Sequence, residues 1–168
     1  MNVSLISYHF HGKEGLHRAV LEDFANVGLS ITERLLSVEP SSPEDFNVRI
    51  RLFAEEFFAI HLEHRETCLI IHRENDMLLP HTKEIFFNIF LRVFERLVGF
   101  IEAGQKRGFV RDHLHPRLTA GYLIGAMKHI IFSDPIRITL GEPSIEDPAQ
   151  RALLINQTLD IFFRGVSA

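Results

Sequence analysis

Ten histidines and a single cysteine give this chain most of its chemical latitude. His61 and His64 stand three apart, a spacing that places two ligands on one helical face. His72, His81 and His129 could converge on them around a metal. A di-metal bundle site asks for Glu-x-x-His twice, and here Glu14 and His17 supply it once, near the other end of the chain. The favoured reading is that the histidines cap helices or line the polar side of a pocket, so no metal or other cofactor is expected. A metal-dependent helical-bundle enzyme is the weaker alternative. Cys68 lies in an apolar run, where a thiol is inert core rather than a nucleophile. No nucleophile elbow, oxyanion motif or Gly-rich phosphate loop frames the Ser, His and Asp residues. The sequence makes no positive case for catalysis.

The phenylalanines are the stronger lead. Fifteen are present, against two Tyr and no Trp. Phe53, Phe57, Phe58, Phe86, Phe87, Phe90 and Phe94 would face one another if helices over 43–64 and 81–106 pack together. Met77, Met127, Tyr122 and histidines such as His61 would add an adaptable wall and a few polar contacts. Mostly apolar pockets with few polar groups are the usual form of a small-molecule site. For any single Phe the plainer role is filling the core.

The elements that must position these residues are helical. Leu16, Val20, Leu21, Phe24, Val27, Ile31 and Leu35 recur at threes and fours, predicting an amphipathic helix over 13–38 with a weak point at Gly28. Pro40-Ser41-Ser42-Pro43 is a turn, after which Ser42, Glu44 or Asp45 can cap a helix over 43–64. A shorter helix follows over 66–72, broken by Asn75-Asp76 and Pro80. The segment 81–106 is apolar nearly all round and should be central. After a connector over 104–116, Pro116 opens a helix over 116–132, a loop covers 133–145, and a last helix spans 147–164. Without strand-like alternation or repeats, the fold class is all-α.

Composition sets outer bounds. At 168 residues, 46% hydrophobic and 24% charged, the chain can bury one substantial core. A net charge of −4 means that any nucleic-acid surface must be local. One cysteine suits a reducing compartment. There is no signal-peptide pattern and no apolar run of the ~20 residues a bilayer span needs. A cytoplasmic location and no membrane partner are expected.

The stretch Val3–Leu16 reads V-S-L-I-S-Y-H-F-H-G-K-E-G-L. A short helix over 2–7 is followed by the aromatic pair Tyr8 and Phe10, then Gly12, then Lys13, Glu14 and Leu16. This resembles the end of the helix-turn-helix of tetracycline-repressor (TetR) family regulators, where a short recognition helix, an aromatic Y-x-F and a small residue precede K-E-x-L at the start of the fourth helix. In that family two more helices come before the recognition helix; this chain begins at Met1, immediately before it. A helix-turn-helix needs its first helix to brace the second.

The resemblance implies a TetR-like helical bundle. Residues 1–17 would be the end of the DNA-binding head, and 18–168 an effector-binding and dimerising body. Ser4, Tyr8, His9 and Lys13 would contact operator bases or phosphates. A small apolar effector would bind among Phe53, Phe57, His61, Phe86, Phe90, Phe94, Tyr122 and Met127. The last two long helices would form a homodimer interface through Leu118, Gly121, Tyr122, Gly125, Ile155, Leu159 and Phe162. Glycines on a helix face cost propensity, and close approach of a second subunit's helix would compensate. The implied function is a ligand-responsive regulator, a repressor, that binds DNA as a dimer in its complete form. The alternative is a truncated dimeric small-molecule-binding protein with no DNA role.

Overall fold

The computed structural model describes residues 10–76 and 80–168, with the side chains of 75–76, 80–82 and 86 excepted. Ser4, Tyr8 and His9 lie outside the described residues. Helix α1 spans Lys13–Leu36 and opens at Gly12, whose φ of 100° and ψ of −169° fall in a region essentially closed to residues with a Cβ. Helix α2 spans Pro43–Glu63, and of the caps the turn offers, the Ser42 hydroxyl is the one that accepts from the Asp45 N–H, at 3.1 Å. Helix α3 (Arg65–Asp76), helix α4 (Pro80–Ile85), a π-helix (Phe86–Phe90) and helix α5 (Leu91–Lys106) follow. Helix α6 covers Pro116–Thr139 and helix α7 covers Pro148–Val166. Among the described residues no strand forms. The nearest thing is an isolated antiparallel bridge between Val110 and Ser167, which pins the α5–α6 connector to the C-terminal end.

Two buried clusters organise these helices. The larger joins α2, α5, α6 and α7 through Phe46, Phe58, Phe100, Ile101, Leu123, Met127 and Leu159. Phe46 stacks on Phe100 at 5.2 Å, and the Arg49 guanidinium sits 4.6 Å from the same Phe100 ring. Gly104 permits that approach, since an added Cβ would lie 3.0 Å from Val110 Cγ2 and 3.1 Å from Phe46 Cε2. The smaller cluster gathers Leu21, Phe24, Ala25, Ile60, Cys68, Ile71 and Ile85 beneath α1.

The attachment of α1 to the body is uneven along its length. At its C-terminal end Arg49 donates to the carbonyls of Leu35 (2.7 Å), Val38 and Glu39 (3.4 Å), satisfying acceptors that a helix terminus leaves open. Toward its N-terminal end the polar links are ion pairs, His17–Glu74 at 3.0 Å and Arg18–Glu84 at 3.1 Å. The Arg18–Glu84 pair is exposed, and such pairs contribute about 0–1 kcal/mol, whereas the His17–Glu74 pair is partly buried.

Helix α3 continues through Asn75 to Asp76 instead of ending near His72, and the structure departs from the sequence pattern in two larger respects. The segment 81–106 is not one helix, because the π-helix Phe86–Phe90 interrupts it. Apolar residues on nearly every face leave the helical register unspecified by pattern there. The second departure is that α6 runs through Pro135 to Thr139 where a loop was expected. An interior proline loses its own N–H bond and crowds the carbonyl four residues back, so the turn must be held by other contacts. The loop that follows does the holding. The fully buried Asp134 carboxylate accepts from Ser144 Oγ and the Ile145 N–H, each at 2.9 Å, and Arg137 binds Glu142 at 2.7 Å.

Phe58 is completely buried in the main cluster. Phe58→Ala should lower the unfolding free energy by about 3–5 kcal/mol in urea titrations. A loss below about 1 kcal/mol would contradict this packing.

Candidate functional site

A cavity of about 380 Å³ opens between α1 and the body. Each wall is a helical stripe at spacings of three, four or seven. Helix α1 supplies Phe24, Gly28, Ile31 and Thr32; α2 supplies Phe53, Phe57, Ile60 and His61; α3 supplies Cys68, Ile71 and His72. Phe90, the last residue of the π-helix, and Phe94, one turn further along α5, close another side. A π-turn shifts the register of the face that follows it, and such turns recur at functional sites. Helix α6 completes the wall with Arg117, Ile124, Lys128 and Phe132.

The polar groups in this lining are few and mostly committed. Thr32 is fully buried, and its hydroxyl donates to the Gly28 carbonyl at 2.7 Å. His61 Nδ1 lies 2.7 Å from the Phe57 carbonyl, so the ring donates there and a neutral imidazole keeps its lone pair on Nε2. The same ring stacks on Phe57 at 4.0 Å and meets Phe24 edge-on at 5.6 Å. Burial lowers its pKa to about 4, against the pull of the Phe57 hydrogen bond, with the Lys128 charge adding to the depression. Burial likewise raises the Cys68 thiol to about 12, which makes it a poor nucleophile at neutral pH. His72 stacks on Phe132 at 4.1 Å. Arg117 lies 5.4 Å from the Phe94 ring and pairs with Glu95 at 2.6 Å. No Asp or Glu lines the cavity among the described residues. Nor does any group of three or more His, Cys, Asp or Glu among them lie as a metal site would require.

Five of the residues expected to bind an effector line this cavity together: Phe53, Phe57, His61, Phe90 and Phe94. The Phe86 side chain lies outside the described residues. Tyr122 and Met127 do not reach the cavity, and this corrects their assignment. Tyr122 is 74% exposed on the outer side of α6, whereas Met127 is fully buried in the main core. The inward face of α6 is set by Ile124, Lys128 and Phe132 at intervals of four, and neither corrected residue falls on that stripe. The contributions of α1 and α3 were missed. The spacing of Phe24, Gly28, Ile31 and Thr32 already marks one face of α1, but only the fold shows that α1 covers an unfilled volume.

The residues expected at a subunit interface divide into two groups. Leu118 (57% exposed), Tyr122, Gly121 and Gly125 lie on the outer face of α6, and an added Cβ at either glycine would meet nothing within 4 Å. Phe162 is half-buried beside them, near the exposed Ile161 of α7. Ile155 and Leu159 are 5% and 0% exposed and belong to the main core of the chain itself, another correction. They share the inward stripe of α7, while Leu153 and Ile161 carry its outer one. Lys13 is exposed at the first turn of α1. No described helix is long and apolar enough to cross a membrane.

The fold has counterparts among solved structures. A protein of unknown function from Rhodococcus sp. RHA1 superposes with a TM-score of 0.72 at 15% identity, over all of this chain and 85% of that one. A candidate TetR-family transcriptional regulator from Mesorhizobium loti MAFF303099 superposes with a TM-score of 0.66 at 16% identity, over 98% of this chain and 80% of that one. No protein-family model matches the chain, and no curated protein does. The architecture is therefore all-α and similar to that of a TetR-type structure.

His61 generates a prediction. Its folded pKa of about 4 lies below the ordinary 6.5, so between those values the unfolded chain binds more protons. Stability should be intact above pH 6.5 and fall as the pH drops toward 4, with a slope approaching about 1.4 kcal/mol per pH unit. Urea titrations across this range should show that His61→Gln flattens the slope. Identical pH profiles for parent and variant would contradict the buried, neutral imidazole.

Proposed function

We propose that this chain is the effector-binding and dimerising body of a TetR-type transcriptional regulator, joined at residues 1–17 to the end of a DNA-reading head. The observation that carries the reading is the place of the cavity. Its roof is α1, the helix that leads directly out of the recognition-helix stretch. A ligand seated there touches Phe24, Ile31 and the backbone at Gly28 on one side and α2, α3, α5 and α6 on the other. Arg49 holds the C-terminal end of α1, its middle turns pack through Leu21, Phe24 and Ala25 on the smaller cluster, and its first turns are tied by the His17–Glu74 and Arg18–Glu84 ion pairs. Filling the cavity would therefore swing α1 about its C-terminal end and displace whatever its N-terminus carries.

The switch requires the effector to prefer one α1 position over the other, because a ligand with equal affinity for both moves nothing. Ser4, Tyr8, His9 and Lys13 would contact operator DNA, and the change in spacing between two heads would release it. The heads would be paired by the outer faces of α6 and α7, where Leu118, Gly121, Tyr122, Gly125, Ile161 and Phe162 meet their symmetry equivalents. Small residues beside exposed apolar ones suit a close helix–helix contact. The likeness to a candidate TetR-family regulator supports this reading.

The test is duplex selection from a random pool with the native protein isolated from its source cells. Enrichment of a pseudo-palindromic site with half-sites about one helical turn or more apart is the expected result. Tyr122→Arg, which places a charge in the proposed interface, should lower affinity for that site about tenfold or more by separating the subunits. Failure to enrich any duplex would overturn the regulatory reading.

A further inference from the structure

The charges around the cavity are one-sided. Arg117 and Lys128 line it, and no carboxylate does among the described residues. Arg117 already has Glu95 at 2.6 Å. Among the described residues no carboxylate lies within ion-pair distance of Lys128; its ammonium sits 6.0 Å from the Phe132 ring in a partly buried position on α6. Its charge is felt by both His61 and Cys68 inside the cavity. His61, donating to the Phe57 carbonyl, offers no compensating anion, and the Thr32 hydroxyl is occupied by Gly28. A cation beside a Phe- and Ile-lined volume keeps its desolvation cost unless a counter-charge arrives with the ligand.

We infer that the occupant of this cavity is an amphipathic organic acid, with an apolar body among Phe53, Phe57, Phe90 and Phe94 and its carboxylate against Lys128. The inference rests on the reading of the cavity as a ligand site and adds the ligand's chemical class. A cavity of about 380 Å³ lies at the lower end of the range that small-molecule sites span. That suits a medium-chain fatty acid or a bicyclic aromatic acid. A neutral ligand of the same shape gains the apolar contacts and leaves Lys128 unpaired. A cationic one meets repulsion as well.

Calorimetric titration of the full chain at neutral pH with decanoate, decanol, decylammonium and naphthoate tests this. Decanoate should bind about tenfold or more tighter than decanol, as expected for a charge-assisted contact in a partly dry site, with decylammonium weakest. Tighter binding of naphthoate than decanoate assigns the aromatic acid, and the reverse order assigns the aliphatic one. Lys128→Met should remove the preference for decanoate over decanol, and Lys128→Arg should retain it. Equal affinity for decanoate and decanol, or an acid preference that survives Lys128→Met, overturns the inference and leaves the ligand site standing. Binding of none of the four overturns both.

Discussion

Helix α1 must bury its apolar stripe, yet the middle of that stripe faces an unfilled volume. Leu21 and Phe24 on one side of the gap and Leu36 on the other are well packed. Between them Gly28 and Ile31 border the cavity. Packing density in protein interiors is close to that of organic crystals, and a void forfeits dispersion on every atom that lines it. The rest of the molecule is arranged to tolerate that loss. Arg49 reaches from α2 to the Leu35 carbonyl in the last turn of α1 and to the Val38 and Glu39 carbonyls just beyond it, and the main core of α2, α5, α6 and α7 is complete without any contribution from the middle of α1. The stable part of the fold is thereby separated from the part that surrounds the void.

That separation suits the chemistry of the lining. Phe57 and His61 stack, His72 and Phe132 stack, and Phe24 presents an edge to His61, so the walls hold one another in place without a ligand. His61 here serves as an aromatic surface with one committed donor. Burial also keeps the Cys68 thiol protonated. The cavity therefore has walls braced by their own ring contacts, with α1 as the roof whose movement the proposed switch requires.

Much of this was legible in the sequence, for identifiable reasons. The periodicity of Phe24 and Ile31, of Phe53 and Phe57, and of Phe90 and Phe94 encodes faces, and faces are what helical spacing can encode. Ser42 could be read as a cap because an N-cap is a local event. The direction in which a face points is not local. Ile155 and Leu159 form a sound apolar stripe, but whether it meets a second subunit or the chain's own core depends on where α2 and α6 lie. Tyr122 looked like a pocket residue by type, and its position off the Ile124–Lys128–Phe132 stripe decides otherwise. The continuation of α6 through Pro135 depends on Asp134 binding a loop ten and eleven residues downstream, which no helix-stop signal records.

The central claim is that occupancy of the cavity moves α1 relative to the body. The most direct measurement is a spin-label distance between Val20 on α1 and Glu102 on α5, both exposed, with the buried Cys68 thiol left unlabelled by its surroundings. On saturation with decanoate the distance distribution should shift as a whole, by an amount larger than its width at the label on α1. An unchanged distribution with the cavity demonstrably filled would contradict the claim and leave α1 a fixed wall.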